Sequence, residues 1–125
     1  MPDAGKALVF VVDDEPNIAQ TAARILRNDG FDARDFTEPI AALQAARLEA
    51  PDLLLTDVIM PGLNGFELSS WVSASCPQCK VILFSGDPNA RAKYATSHDQ
   101  KQFDILTKPV APDNLLNAIR RKLDS

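Results

Sequence analysis

Leu53-Leu54-Leu55-Thr56-Asp57 is the stretch on which the reading of the fold turns. The run Leu53–Thr56 carries no charge, does not alternate apolar with polar, and stops at an aspartate. An unbroken run of this length fits a strand covered on both faces better than a surface strand or a helix. Leu8–Val12 and Val81–Phe84 have the same character. Two further strand-like runs are Phe31–Phe36 and Phe103–Thr107. The former alternates, with Phe31, Ala33 and less regularly Phe36 apolar, and reads as an edge strand.

Helical patterns fill the intervals. Ile18, Ala22, Ile25 and Leu26 recur at the spacing of one helix face, with Pro16 in the first turn and Gly30 just past the last. Thr37 is placed as the N-cap of the second helix, with Pro39 near its start and Ile40 and Leu43 on its buried side. Leu68, Trp71, Val72 and Ser75 form the third stripe, and Trp71 is assigned to the core. Asp87–Ser97, rich in alanine and polar residues, is the weakest helix. Pro112 opens the last one, whose face is Leu116, Ile119 and Leu123. Five strands, each followed by a helix, predict an α/β fold: a doubly wound parallel sheet with right-handed crossovers. Residues 1–6 read as a loose lead-in and 7–125 as one domain, with no linker, repeat or low-complexity tract.

Composition bounds the function. A chain of 125 residues has the size of one ordinary domain, and 46% hydrophobic residues suffice for a core. A net charge of -4 and the lack of a basic stripe argue against non-specific nucleic-acid binding. No segment approaches the roughly 18 apolar residues of a membrane span, and the run Ala7–Val12 is too short for a signal-peptide core. A cytoplasmic protein is expected. Cys76 and Cys79 form a Cys-Pro-Gln-Cys pair, which is half a zinc site at most, because the only histidine, His98, lies in another segment. The pair leads into a strand rather than opening a helix, so it is read as two reduced, ordinary thiols.

The chemistry is positional. Asp13 and Asp14 follow the first strand, Asp57 the third, Ser85 the fourth and Lys108 the fifth, while the second ends in Phe36-Thr37 with nothing comparable. Ligands of open parallel sheets bind beyond the carboxyl ends of the strands, where strand order reverses. In the order 2-1-3-4-5 the four equipped strands are contiguous, and three carboxylates, a hydroxyl and an ammonium converge on one crevice. Carboxylates so close repel one another and raise a pKa, unless a divalent cation sits among them. Hard oxygen ligands suit Mg2+ better than zinc. With a cation screening an incoming phosphoryl group, a carboxylate can act as nucleophile. Lys108 supplies a fixed positive charge, worth roughly 4 kcal/mol at about 4 Å and an effective dielectric near 20, and Ser85 a hydrogen-bond donor. Any one of these residues alone would more often cap a helix or face solvent, and Gly62 and Gly65 can be plain turn formers with Pro61 as a stop. The joint placement on four strands carries the inference.

Val12-Asp13-Asp14-Glu15, the run Leu53 to Gly65 with its Asp57 and Met60-Pro61-Gly62, Val81-Ile82-Leu83-Phe84-Ser85-Gly86, and Thr107-Lys108-Pro109 together resemble the receiver domain of response regulators. The resemblance covers essentially the whole chain and implies a flavodoxin-like fold. It implies that Asp57 accepts a phosphoryl group from the phosphohistidine of a sensor histidine kinase or phosphotransfer protein. Asp14, Asp57 and the backbone carbonyl of Ile59 would bind Mg2+ directly, with Asp13 acting through water. Ser85 and Lys108 would contact the phosphoryl group, Gly86 would leave room for it, and the Lys108–Pro109 bond would be cis. A receiver catalyses only its own phosphorylation and dephosphorylation, so a turnover enzyme is not expected. Ile59 and Asp87, two residues beyond the acceptor and beyond Ser85, would border the path of hydrolytic water and set the phosphoryl lifetime.

One departure concerns output. The family commonly has Tyr or Phe where this chain has Ile105, and Phe103 lies two residues earlier on the same strand face. Either Phe103 takes over part of the switch role, or signalling uses no aromatic rotamer change. The turn Gln100-Lys101-Gln102 also lacks the small residues often found there. At this length a single-domain receiver is expected, and the resemblance implies that it signals to an unknown downstream protein through contacts of its fourth helix, fifth strand and fifth helix. Competing readings are a phosphorylation-independent adaptor of receiver fold and an aspartyl-phosphate phosphatase of the haloacid dehalogenase type. The second has its nucleophile after the first strand in an Asp-x-Asp motif, which does not match the order here. A dinucleotide site lacks its Gly-x-Gly-x-x-Gly, and Asp13, Asp14 and Glu15 would repel a flavin phosphate.

Overall fold

The computed structural model describes residues 6–94 and 103–125. Its elements are β1 (Leu8–Val12), α1 (Pro16–Asn28), β2 (Asp32–Phe36), α2 (Pro39–Leu48), β3 (Leu53–Asp57), α3 (Gly65–Ser75), β4 (Lys80–Ser85), α4 (Ala90–Tyr94), β5 (Asp104–Thr107) and α5 (Pro112–Leu123). The five strands pair in parallel in the order β2-β1-β3-β4-β5, as expected, with β2 at an edge.

Strand parity divides the core. Leu8, Phe10, Val12, Leu54, Val81 and Leu83 face the α2–α3 layer, where they meet Ala42, Leu43, Phe66, Leu68 and Val72. Val9, Val11, Leu53, Leu55, Ile82 and Phe84 face α1 and α5 and meet Ala22, Leu26, Leu115 and Ile119. Each central strand is therefore apolar on both sides, the pattern that an uninterrupted run encodes. Asp13, Asp57 and Lys108 carry on the parity of Val11, Leu55 and Leu106, so they belong to the α1–α5 side of the sheet rim.

Several local expectations are corrected. Trp71 is half-exposed at 50%: α3 packs through Phe66, Leu68, Ser69 and Val72, and Trp71 is turned about 100° from Val72 around the helix axis. Ile40 is exposed at 47%, because α2 seats Pro39, Ala42, Leu43 and Ala46 instead. The N-cap of α2 is Glu38 rather than Thr37, and it makes no side-chain cap bond. Pro39 at the first helical position has no N–H, so one of the donors left unpaired at a helix start is absent here. α5 buries Leu115 together with Ile119, and Leu116 and Leu123 pack at the margin. Within the described residues the weak fourth helix covers Ala90–Tyr94, with Asp87 to Asn89 forming the turn before it. The rest of the expected Asp87–Ser97 span, His98 and the Gln100–Gln102 turn lie outside the described residues.

α3 starts at a capping box that the sequence pattern Asn-x-x-Glu carries: Asn64 Oδ1 accepts from the Glu67 N–H, and Glu67 Oε1 accepts from the Asn64 N–H, both at 2.9 Å. Gly30 ends α1 with φ 97°, a conformation that favours glycine. Cys76 and Cys79 are free and buried, and burial first, then the neighbouring Cys76, pushes the Cys79 thiol up to about 12. A thiol so reluctant to ionise is a poor nucleophile and metal ligand, which agrees with the reading as ordinary thiols.

Candidate functional site

The sheet's hydrogen-bond ladders run one residue past the strands, and this fixes the polar groups at the rim. The Asp13 N–H donates to the Phe36 carbonyl at 3.0 Å, that of Val58 to Phe84 at 3.2 Å, and that of Lys108 to Ser85 at 2.8 Å. In register, Asp57 lies beside Phe84 on β4, and Ser85 beside Thr107 on β5. Four stretches far apart in sequence thereby meet at one edge.

Ligand oxygens of Asp13, Asp14 and Asp57 all lie within 4.8 Å of one another. Asp13 is 0% and Asp57 7% exposed, while Asp14 faces solvent. Lys108 Nζ lies 2.8 Å from Asp13 Oδ2 and 3.4 Å from Asp57 Oδ1, and it stands over the Phe84 ring at 4.6 Å from the centroid. The other oxygen of Asp13 accepts from the Glu15 N–H at 2.9 Å, at the start of α1, where partial positive charge favours an anion. Both Asp13 oxygens are thus occupied, which leaves Asp14 and Asp57 as the more available ligands.

Burial, then repulsion from Asp13, pushes the Asp57 carboxyl up to about 6 against the pull of Lys108. Burial opposes the charge on Lys108, but its hydrogen bond to Asp13 and the charges of Asp57 and Asp13 hold its pKa above the ordinary lysine value. The stability consequence has a definite sign. A carboxyl whose folded pKa exceeds its unfolded value weakens the fold above the folded pKa, and the penalty disappears as pH falls through about 6 toward 4. Without divalent cations, Asp57→Asn is expected to stabilise the protein at pH 7.5 by up to about 3 kcal/mol, with the gain vanishing near pH 4. Urea titrations at the two pH values check this, and an equal difference at both overturns it.

The fit to a divalent cation follows from the donor set. Three carboxylates against one ammonium leave the cluster with excess negative charge, and hard oxygens at a half-open rim suit an ion that keeps part of its water. Ile59 lies in the loop after β3 with its side chain half-exposed. At Gly86 an added Cβ would meet nothing within 4 Å, so space is open beside Ser85. The Lys108–Pro109 bond is cis, as the resemblance implied. Phe103 is buried against the α2–α3 side of the core, and Ile105 packs on the same cluster.

Two contributors escaped the sequence reading. Gly65, treated as a plain turn former, is a close-approach residue: a Cβ there would lie 2.2 Å from the Asp57 carbonyl oxygen. Phe84, read only as part of a covered strand, also carries Lys108 over its ring. Gly62, with φ 84° and open space around it, is the turn former expected.

The site is thus an acidic, lysine-bearing pocket at the carboxyl rim of a five-stranded parallel sheet. The chain belongs to the response regulator receiver domain family, whose pattern matches residues 9–120. It is 29% identical over 118 residues to the DNA-binding transcriptional regulator NtrC of Escherichia coli K12, covering 94% of this chain and 25% of NtrC. It is also 29% identical over 121 residues to the DNA-binding response regulator MtrA of Mycolicibacterium smegmatis, covering 97% of this chain and 52% of MtrA. The chain thus spans between a quarter and about half of these relatives. Among solved structures, a CheY-like receiver domain protein from Methanospirillum hungatei superposes with a TM-score of 0.81 at 25% identity, over 95% of this chain and 94% of that one. No described helix is long and apolar enough to cross a membrane.

Proposed function

We propose that the domain is a cytoplasmic phosphoreceiver that takes a phosphoryl group onto Asp57 from the phosphohistidine of a sensor histidine kinase or phosphotransfer protein. It then signals to a downstream protein by contact. The observation that carries this reading is the meeting of Asp57 with Asp13, Asp14 and Lys108 within a few ångströms. An Asp57 oxygen forms the new bond to phosphorus, the bond from phosphorus to the donor nitrogen breaks, and the imidazole keeps the electron pair and takes up a proton. Lys108 would follow a phosphoryl oxygen as charge builds there, and Ser85 would donate a hydrogen bond to another. Asp14 and Asp57, with the backbone carbonyl of Ile59, would hold Mg2+ directly and Asp13 through water. The ion would screen the repulsion between carboxylate and phosphoryl group. The domain does not turn over an external substrate.

Acetyl phosphate with Mg2+ tests the reading. The intact mass is expected to rise by one phosphoryl group in the native protein and not at all in Asp57→Asn. No rise in the native protein removes the phosphoreceiver and leaves the adaptor of receiver fold. Lifetime gives a further check. A branched, half-exposed Ile59 would hinder the approach of water, so Ile59→Asn is expected to shorten the phosphorylated state several-fold once the donor is removed. An unchanged rate of mass loss rejects that role for Ile59.

A further inference from the structure

The ammonium of Lys108 reaches partners that start from distant strands. β5 lies two strands from β3 and three from β1, roughly 10 and 14 Å at the usual strand spacing. The lysine stem therefore leans across β4, and the side chain it crosses is Phe84. Backbone pairing places that ring. Phe84 stands in register between Asp57 on β3 and Leu106 on β5, and its carbonyl accepts from the Val58 N–H at 3.2 Å. Its side chain belongs to the α1–α5 side of the sheet, as do Asp57 and Lys108, and it is buried there, so packing fixes the ring.

Three groups hold the ammonium: Asp13 Oδ2 at 2.8 Å, Asp57 Oδ1 at 3.4 Å, and the face of the Phe84 ring at 4.6 Å from its centroid. They respond differently to phosphorylation. An Asp57 oxygen that bonds phosphorus gives up its charge, and the pull toward β3 passes to the phosphoryl oxygens. Asp13 stays anionic and, as the nearest partner, draws the ammonium toward β1. The ring is unchanged by the reaction, and a π face attracts a cation without fixing the direction of its N–H bonds. We propose that Phe84 is a positioning residue for Lys108, an inference that rests on the phosphoreceiver reading. Its ring offsets the pull of Asp13 and keeps the ammonium over β4, within reach of the phosphoryl group forming on Asp57. A charge held in place before the reaction stabilises the charge that builds during it, and one that has drifted to Asp13 does so less. A leucine at this position would still fill the core but would offer the ammonium nothing.

The test replaces Phe84 with phenylalanines carrying one, two or three ring fluorines, which drain charge from the π face and nearly keep the ring's shape. Phosphorylation by acetyl phosphate at fixed Mg2+, read by intact mass, is expected to slow with each fluorine, by about three- to ten-fold at the third. Phe84→Leu should be at least as slow. Melting temperatures in metal-free buffer should fall stepwise along the same series. In a Lys108→Met background, which keeps a stem but no charge, they should not follow it, because the effect runs through the ammonium. A rate indifferent to the fluorines overturns the proposal. So does an equal fall in melting temperature with and without the ammonium, which would make the ring a packing residue only. If the native protein takes up no phosphoryl group, the phosphoreceiver reading has failed and the role in transfer falls with it, while the melts still report on the contact by themselves.

Discussion

Gly65→Ala is expected to lower folding stability by about 3 kcal/mol and to slow phosphorylation of Asp57 by roughly ten-fold or more. The added Cβ would lie 2.2 Å from the Asp57 carbonyl oxygen and 3.0 Å from its carbonyl carbon and from Val58 Cα. All three are backbone atoms, so no side chain can swing away. Either the first turn of α3 lifts off the sheet or the end of β3 moves. The Gly65 N–H bond to the Val58 carbonyl, 2.8 Å long, resists both. In an unconstrained helix the same substitution would help by about 1 kcal/mol, so a net loss measures the clash itself. Urea unfolding and the acetyl phosphate assay give the two quantities. Gly62→Ala, at a left-handed position in open space, serves as the comparison and should cost less stability and leave Asp57 in place. A Gly65→Ala protein as stable and as reactive as the native one would show that the approach of α3 to β3 does not position the acceptor.

The second large effect concerns the ammonium. Lys108→Met is expected to destabilise the protein by about 3 kcal/mol at pH 7.5 without divalent cations, a fall in melting temperature of roughly 10 °C for a domain of this size. The substitution keeps an apolar stem over the Phe84 ring but leaves Asp13 fully buried and Asp57 nearly so, without their shared counter-charge. The loss should shrink at pH 5, where Asp57 can take up a proton, since its carboxyl already sits near 6. Added Mg2+ should return part of it, because a cation among the three carboxylates replaces the missing charge. Thermal melts with and without MgCl2 at the two pH values decide the matter. A variant that melts with the native protein in metal-free buffer at pH 7.5 would mean that the pair contributes nothing.

The architecture and the pocket were legible for a common reason. Strands sandwiched between helix layers are apolar on both faces, so the first charged residue after each run marks the sheet rim. That is how Asp13, Asp57 and Lys108 stand out before any coordinates exist. Helix faces are less explicit. Trp71 and Ile40 rank as core residues by hydrophobicity alone, but the buried stripes of α2 and α3 include small residues such as Ala42, Ala46 and Ser69, and these two large ones fall outside them. Gly65 could not be told from a turn glycine, because its distinction is a distance to the backbone of another segment.

The outward turn of Trp71 has an optical consequence. It is the chain's only tryptophan, and it sits about 9 Å along the α3 axis from Gly65. Its half-wetted indole should emit toward the red, with little spectral change when the protein melts. A protein settling on the outside of α3 would shift that emission to the blue, giving a dye-free signal for association.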